Sequence, residues 1–306
     1  MAAPSTQTVA LTVDQADKLH ILLEERGFEM NQPPYTRFGA KGQGVTVAVY
    51  EKGPKLVIQG KGLEDFVTFL LEPEILGEAR LGYEEVHQPE MFAPHIGVDE
   101  SGKGDFFGPL VVAGVYVEPE SARHLLAGGI VDSKRIGSDR RIAELAELVR
   151  TTPACGWEII TLGPSRYNAL YAKFGNLNRL LAWGHAKIIE NLLERVPDCP
   201  RALSDQFANP RELERALQSR GRTIQVDQRT KAESDIAVAA ASVLARDAFV
   251  SWLADAESLW KVKLPKGASP AVTEAGKTFV NHHGREKLAE VAKMHFRTSA
   301  IVLGDL

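Results

Sequence analysis

Residues His95 to Pro109 read HIGVDESGKGDFFGP. The β-branched run Ile96 to Val98 predicts the end of one strand, and Leu110 to Val117 (LVVAGVYV) predicts the next. Two adjacent carboxylates, Asp99 and Glu100, stand between them, followed by Gly102-Lys103-Gly104. A turn with two glycines lets bare backbone come close to another molecule. Neighbours on a regular strand point to opposite faces, so Asp99 and Glu100 serve one site only if the strand breaks at its end. One reading is a metal site beside a phosphate- or sugar-contacting turn. The other is a solvated acidic corner of a hairpin.

Outside this stretch, 306 residues suit one large domain or two smaller ones. A hydrophobic content of 44% with 25% charged residues describes a globular chain that buries a real core. The net charge of -4 excludes a general polyanion binder, so any nucleic-acid surface is a local basic patch or relies on bound metal. The two cysteines, Cys155 and Cys199, form no disulfide framework or zinc pattern, which fits a reducing compartment. No apolar run approaches the ~20 residues needed to span a membrane, and the N-terminus lacks a basic-then-apolar leader. The expectation is a cytoplasmic monomer with no membrane partner.

In chain order, Met1 to Thr8 is small and polar and reads as loose. Leu11 to Arg26 predicts a helix, capped by Thr12 or Asp14, with Ala16, Leu19, Leu22 and Leu23 at helical spacing and Gly27 at its end. Tyr35–Phe38, Val45–Tyr50 and Lys55–Gln59 predict an antiparallel meander, and Glu64–Leu71 a second helix. This makes a small α+β unit over residues 1–86, and Pro73 to Pro94 reads as the connection onward. Residues 1–86 hold eight Lys and Arg against thirteen Asp and Glu, a net of -5. The strand region is the exception, with Arg37, Lys41, Lys52, Lys55 and Lys61 against Glu51 alone. A basic sheet face fits docking of a nucleic-acid backbone, and it also fits solvated lysines that protect hairpin edges.

Residues 87–306 alternate strands and helices after the opening hairpin. Helices are expected at Ser121–Ala127, Asp139–Arg150, Asn178–Val196 and Ser234–Ala254, and strands at Trp157–Leu162, near Ser204-Asp205 and at Thr223–Val226. The pattern predicts a mixed sheet flanked by helices.

DESGKGDFFGP resembles the DExGxGDxFGP signature of the ribonuclease HIII family, within the type 2 ribonucleases H. Further stretches agree in order and spacing: DSK at Asp132–Lys134, NLN at Asn176–Asn178, SDQF at Ser204–Phe207, KAESDIAVAAASVLAR at Lys231–Arg246, LPKGAS at Leu264–Ser269 and KMHF at Lys293–Phe296. The resemblance covers roughly the last two thirds of the chain. It implies a ribonuclease H-like α/β fold preceded by a small TATA-box-binding-protein-like domain. It also implies cleavage of the RNA strand of RNA/DNA hybrids, leaving 5′-phosphate and 3′-hydroxyl ends.

Two divalent ions such as Mg2+ or Mn2+, held by carboxylates, can activate water, neutralise the transition state and stabilise the leaving oxygen. The resemblance places this work on Asp99, Glu100, Asp205 and Asp235. Each acid also has a structural reading: Asp205 as a loop aspartate, and Asp235 as a first-turn acid favouring the helix dipole. Glu233 is a substitute for Asp235, ranked lower because the family position falls on Asp235. Ser101, Gly102, Lys103 and Gly104 are the candidates for reading a ribose 2′-hydroxyl, and Ser133 and Lys134 for a backbone phosphate. Relatives that cut at single ribonucleotides carry Gly-Arg-Gly where this chain has Gly-Lys-Gly, and lysine lacks arginine's planar fork. Runs of ribonucleotides are therefore the favoured substrate. The pair His282 and His283 reads as solvated, and the basic tail over residues 261–297 reads either as a cradle for a duplex or as a solvated helix face.

Overall fold

The computed structural model describes residues 6–51, 53–76, 89–131, 133–230 and 232–305. The chain divides into two compact units, Met1–Glu90 and Met91–Leu306. The domain boundary expected at 86/87 lies outside the described residues.

In the first unit the elements are β1 (Thr6–Ala10), α1 (Val13–Glu25), β2 (Glu29–Asn31), β3 (Thr36–Gly42), β4 (Val45–Tyr50), β5 (Lys55–Gly60) and α2 (Leu63–Phe66), which continues as a π-helix over Val67–Leu76. The sheet is antiparallel throughout, in the order β1-β5-β4-β3-β2. Val45, Val47 and Val49 alternate inward and pack with Leu56 and Ile58 against Ala16, Leu19 and Leu23 of α1. Thr12 caps α1 through a reciprocal box with Gln15. Two strands, β1 and β2, escape the sequence reading. β1, whose residues 6–8 fall in the stretch expected to be loose, pairs with β5 along the sheet edge, and its Thr-Gln-Thr alternation carries no apolar signal.

In the second unit β6 (His95–Ser101) and β7 (Leu110–Val117) are followed by α3 (Pro119–Ala127), α4 (Asp139–Thr151), β8 (Gly156–Leu162), α5 (Pro164–Phe174) and α6 (Leu177–Arg195). Then come β9 (Arg201–Asp205), α7 (Pro210–Ala216), β10 (Gln225–Arg229), α8 (Ile236–Trp260), α9 (Pro270–His283), α10 (Leu288–Val291) and α11 (Arg297–Leu303). The sheet order is β10-β9-β6-β7-β8, with β9 parallel to both β6 and β10 and the other pairs antiparallel. This is the expected mixed sheet; α5 and α7 were not foreseen.

Two glycines let helices approach the sheet from opposite sides. A Cβ on Gly97 would lie 2.3 Å from the Ala237–Val238 backbone of α8, and one on Gly114 would lie 2.3 Å from the Ile188 side chain of α6. Ala237, Ala239, Ala240, Ala241 and Ala245 are buried and keep α8 slim. Contrary to the expectation that no apolar run reaches spanning length, α8 is long and apolar enough by length and composition, but 67% of its most apolar stretch is buried against the protein.

Candidate active site

The expected strand break does not occur. β6 stays paired with β7 through Asp99↔Ala113, Glu100↔Val112 and Ser101↔Val111. Asp99 therefore shares a face with Gly97 and looks toward α8, while Glu100 looks toward α6. β9 lies parallel to β6 with Val98 opposite Ser204. The next residues, Asp99 and Asp205, lie just past the last paired position on the α8 face, close enough for the charge of Asp205 to act on Asp99.

These two acids crowd each other. Asp99 is only 4% exposed. Burial pushes its carboxyl well above the usual carboxylate range, Glu100 and Asp205 push it further, and the backbone N–H of Glu100 (2.7 Å) and the charge of Lys134 oppose the shift. Burial also raises Asp205, as do the charges of Glu233 and Glu100, against a hydrogen bond from the Ala232 N–H at 3.2 Å.

Glu100 stands apart in charge. Burial alone would raise it, but His185 and Lys103 outweigh burial and hold it below the usual range. His185 Nε2 lies 3.1 Å from one carboxylate oxygen and Lys103 Nζ 3.4 Å from the other. The other ring nitrogen of His185 bonds Ser204 Oγ at 2.9 Å, and the ring lies against Phe207 at 4.6 Å between centroids. Sequence reasoning missed His185. It sits inside the apolar stripe of α6, and only the fold brings it under Glu100.

Asp235 is engaged at the start of α8. It is the N-cap of α8, and its Oδ1 accepts from Ala237 N (2.9 Å) and Val238 N (3.3 Å) and pairs with His95 Nε2 at 2.8 Å. His95 opens β6, four residues before Asp99, roughly 13 Å away along a strand. The charges acting most strongly on Asp99 and Asp205 do not include Asp235. The acid beside Asp205 is Glu233, in the short 3-10 turn Ala232–Ser234 that precedes α8. Helix capping explains the difference: an aspartate just before α8 is better used bonding free N–H groups than turned outward.

Around the acids, Gly102 has φ +87°, and a Cβ there would meet the Pro109 carbonyl at 2.2 Å and the Phe249 ring at 2.9 Å. Gly104 is exposed and its surroundings are open, so of the two glycines it is Gly104 that presents accessible backbone. Ser101 ends β6 half-buried. Ser133 is buried and its N–H donates to Ser242 Oγ of α8 at 3.0 Å. Lys134 is exposed, and its charge reaches both Asp99 and Asp205. Asp132 lies outside the described residues.

The turn itself is pinned from afar. Lys293 is fully buried and donates to the carbonyls of Asp105 (2.8 Å) and Gly108 (2.7 Å), and burial pushes its ammonium down to about 7. Asp105 Oδ1 accepts from Gly267 N at 2.6 Å. The KMHF and LPKGAS stretches therefore shape the Gly102–Gly108 turn. His283, expected to be solvated, bonds the Trp260 carbonyl at 2.8 Å and packs against Phe279. Much of the basic tail is already paired with acids: Lys263 with Glu257, Lys277 with Glu274 and Lys287 with Glu290 nearby in sequence, Arg285 with Asp305, and Lys266 with Asp139 of α4. This favours the reading of a solvated helix face.

Among the described residues no group of three or more His, Cys, Asp or Glu side chains is gathered closely enough to hold a metal ion. Glu100 is on the opposite face of β6 from Asp99 and Asp205, and both of its oxygens face cationic partners.

Residues 96–299 match the family described as Ribonuclease HII, and residues 9–78 match a domain family of unknown function, DUF3378. With the mixed sheet, the match defines a ribonuclease H, a hydrolase that cuts RNA internally. The chain is 46% identical to the ribonuclease HIII of Chlamydia caviae over 278 residues, covering 90% of each, and 42% identical to that of Protochlamydia amoebophila over 296 residues, covering 97% and 96%. The crystal structure of Bst-RNase HIII in complex with Mn2+ superposes with a TM-score of 0.68 at 26% identity, covering 98% of this chain and 99% of that one. The chain belongs to the ribonuclease HIII family.

Proposed function

We propose that this ribonuclease cuts the RNA strand of RNA/DNA hybrids at the Asp99 corner, where Mg2+ or Mn2+ would be held by Asp99, Asp205 and Glu233 once these side chains turn together, with Glu100 joining only if its carboxylate leaves His185 and Lys103 and swings round the end of β6. One observation carries this reading: two half-buried or buried acids stand side by side on adjacent parallel strands, each pushed up by burial and by neighbouring acids. Such a pair is poorly placed without a cation. The donors are all carboxylate oxygens, the set that hard divalent ions prefer. Bound ions supply charge neutralisation and an activated water, leaving 5′-phosphate and 3′-hydroxyl ends.

The chain's own residues position the substrate. The open backbone at Gly104 and the Ser101–Lys103 turn lie where a ribose 2′-hydroxyl can be read. Lys134 offers a charge to a phosphate next to the cut, on a turn that Ser133 ties to α8. Lys103 Nζ lies 3.4 Å from Glu100 and would be freed toward the substrate backbone if Glu100 took a cation. In the first unit, Lys41 and Lys55 are exposed on the open sheet face with Thr46, Tyr50 and Gln59. That face docks the duplex backbone. Arg37 does not contribute, because it pairs with Asp17 of α1 at 2.6 Å.

A gel assay tests the reading with two end-labelled duplexes, one with a continuous RNA stretch and one with a single embedded ribonucleotide, in Mg2+ and in Mn2+. The expected result is cleavage at several positions in the RNA stretch and weak cutting at the single ribonucleotide. Preferential cutting at the single ribonucleotide, or tight binding without cleavage in both metals, overturns it.

A further inference from the structure

α8 travels with β6. Its Ala237–Val238 backbone lies against Gly97, and Phe249 lies against Gly102. Eleven helical residues and five strand residues both advance about 16 Å, so the two elements stay in step and α8 delivers side chains along the whole length of the corner.

Arg246 falls within this run. Ser242, one turn earlier, holds the Ser133 N–H at 3.0 Å. Phe249, three residues later, packs under Gly102. Residues 242, 246 and 249 share one side of a helix, which sets Arg246 between the Ser133-Lys134 turn and the Gly102–Gly104 turn. Long helical side chains lean toward the N-terminus, which on this side of α8 is the Ser133-Lys134 end.

Arg246 lacks what its neighbours have. Its Nε is one of two fully buried side-chain nitrogen or oxygen atoms without a hydrogen-bond partner among the described residues. The adjacent Asp247 is taken by Arg150 at 2.7 Å. The side chain as a whole is half-buried, its Nε enclosed and unpaired; an unpaired donor is costly, so the guanidinium gains from a partner that reaches its accessible part. The corner beside it is acidic and repels a polyanion, so binding a nucleic acid there needs fixed positive charge close by.

We propose that Arg246 is a phosphate anchor, a binding residue whose guanidinium grips a backbone phosphate of the substrate next to the one being cut. A planar fork suits two phosphate oxygens at once. The proposal rests on the hybrid-cleaving reading above and adds a contact outside the carboxylate corner.

The test is hybrid binding by fluorescence anisotropy at several salt concentrations, in an Asp99→Asn background that holds the duplex intact. Arg246→Gln is expected to weaken binding about 10-fold and to lower the salt dependence of log K by about one phosphate contact. Arg246→Lys keeps the charge without the fork and is expected to recover the salt slope but only part of the affinity. Thermal melting of both variants checks folding, and if Arg246→Gln does not fold, Arg246→Lys carries the test through its affinity. Wild-type affinity and slope in the folded variants overturn the anchor. If unsubstituted enzyme fails to cut hybrids, the functional reading fails instead, and the two failures are told apart.

Discussion

β6 ends in a histidine–carboxylate pair at each extremity, and the two pairs have different roles. His95 and Asp235 meet at 2.8 Å at its start; His185 and Glu100 meet at 3.1 Å at its end. Both histidine side chains are fully buried, and both acid side chains are 9% exposed. What separates them is their surroundings. Asp235 Oδ1 collects two backbone N–H groups in addition to the imidazole, so its charge is satisfied where it stands. Glu100 shares its end of the strand with Asp99 and Asp205, which burial and mutual repulsion push up. A buried acid with a full set of donors holds a fold together. Acids that crowd one another are poised for a cation.

Amide substitutions at the two ends give the largest contrast. Asp99→Asn, Asp205→Asn or Glu233→Gln is expected to lower kcat/KM on a hybrid about 10³-fold, roughly 4 kcal/mol of transition-state stabilisation, with the circular dichroism spectrum unchanged. Asp235→Asn is expected to cost about 1–3 kcal/mol of unfolding free energy in a urea titration, with activity of the folded enzyme within a few-fold of wild type. If Asp235→Asn removes as much activity as Asp99→Asn, the distinction between the two ends is lost.

The histidines sharpen it. His185→Ala is expected to weaken Mn2+ binding about 10- to 100-fold by calorimetry, because a ligand carboxylate loses the group that orients it. His185→Gln, which can still donate to Glu100, is expected to recover part of that affinity. His95→Ala should leave Mn2+ affinity alone and lower the unfolding midpoint. Equal effects of both alanine variants on Mn2+ affinity would contradict the assignment.

The smallest effect is on pH. In the folded chain Asp99 and Asp205 keep their protons to higher pH than in the unfolded chain. The folded state then binds more protons over that interval, so metal-free stability falls as pH rises through it. Asp99→Asn removes this penalty and is expected to melt above wild type at pH 7, the gap closing as pH drops below the ordinary carboxylate range. Mn2+ should raise the wild-type melting temperature more than the variant's. A variant that melts below wild type at pH 7 would show that burial of Asp99 carries no such penalty.

Much of the architecture is legible in the chain. The apolar run of β7, the stripe of α6 and the alanine-rich α8 each announce their element through periodicity and composition. The polar edge strand β1 does not, because two-fold alternation of Thr and Gln looks the same in a loop. At the site, Asp99, Glu100 and Asp205 stand out as acids at strand ends. Asp235 could not be resolved from sequence for a definable reason: an acid before a helix has two uses, and the cap seen here depends on His95 lying beside it.

Residue order alone set the strand ending in Asp-Glu, the glycine turn after it and the acid-bearing start of α8, since these rest on local periodicity and turn chemistry. Which acids meet was decided in three dimensions. The parallel register of β9 on β6 puts Asp205 beside Asp99, the close approach at Gly97 carries Asp235 down to His95, and α6 brings His185 beneath Glu100. Electrostatic crowding acts through space over a few ångströms, and partners separated by scores of residues become neighbours only when the sheet and its two helices close.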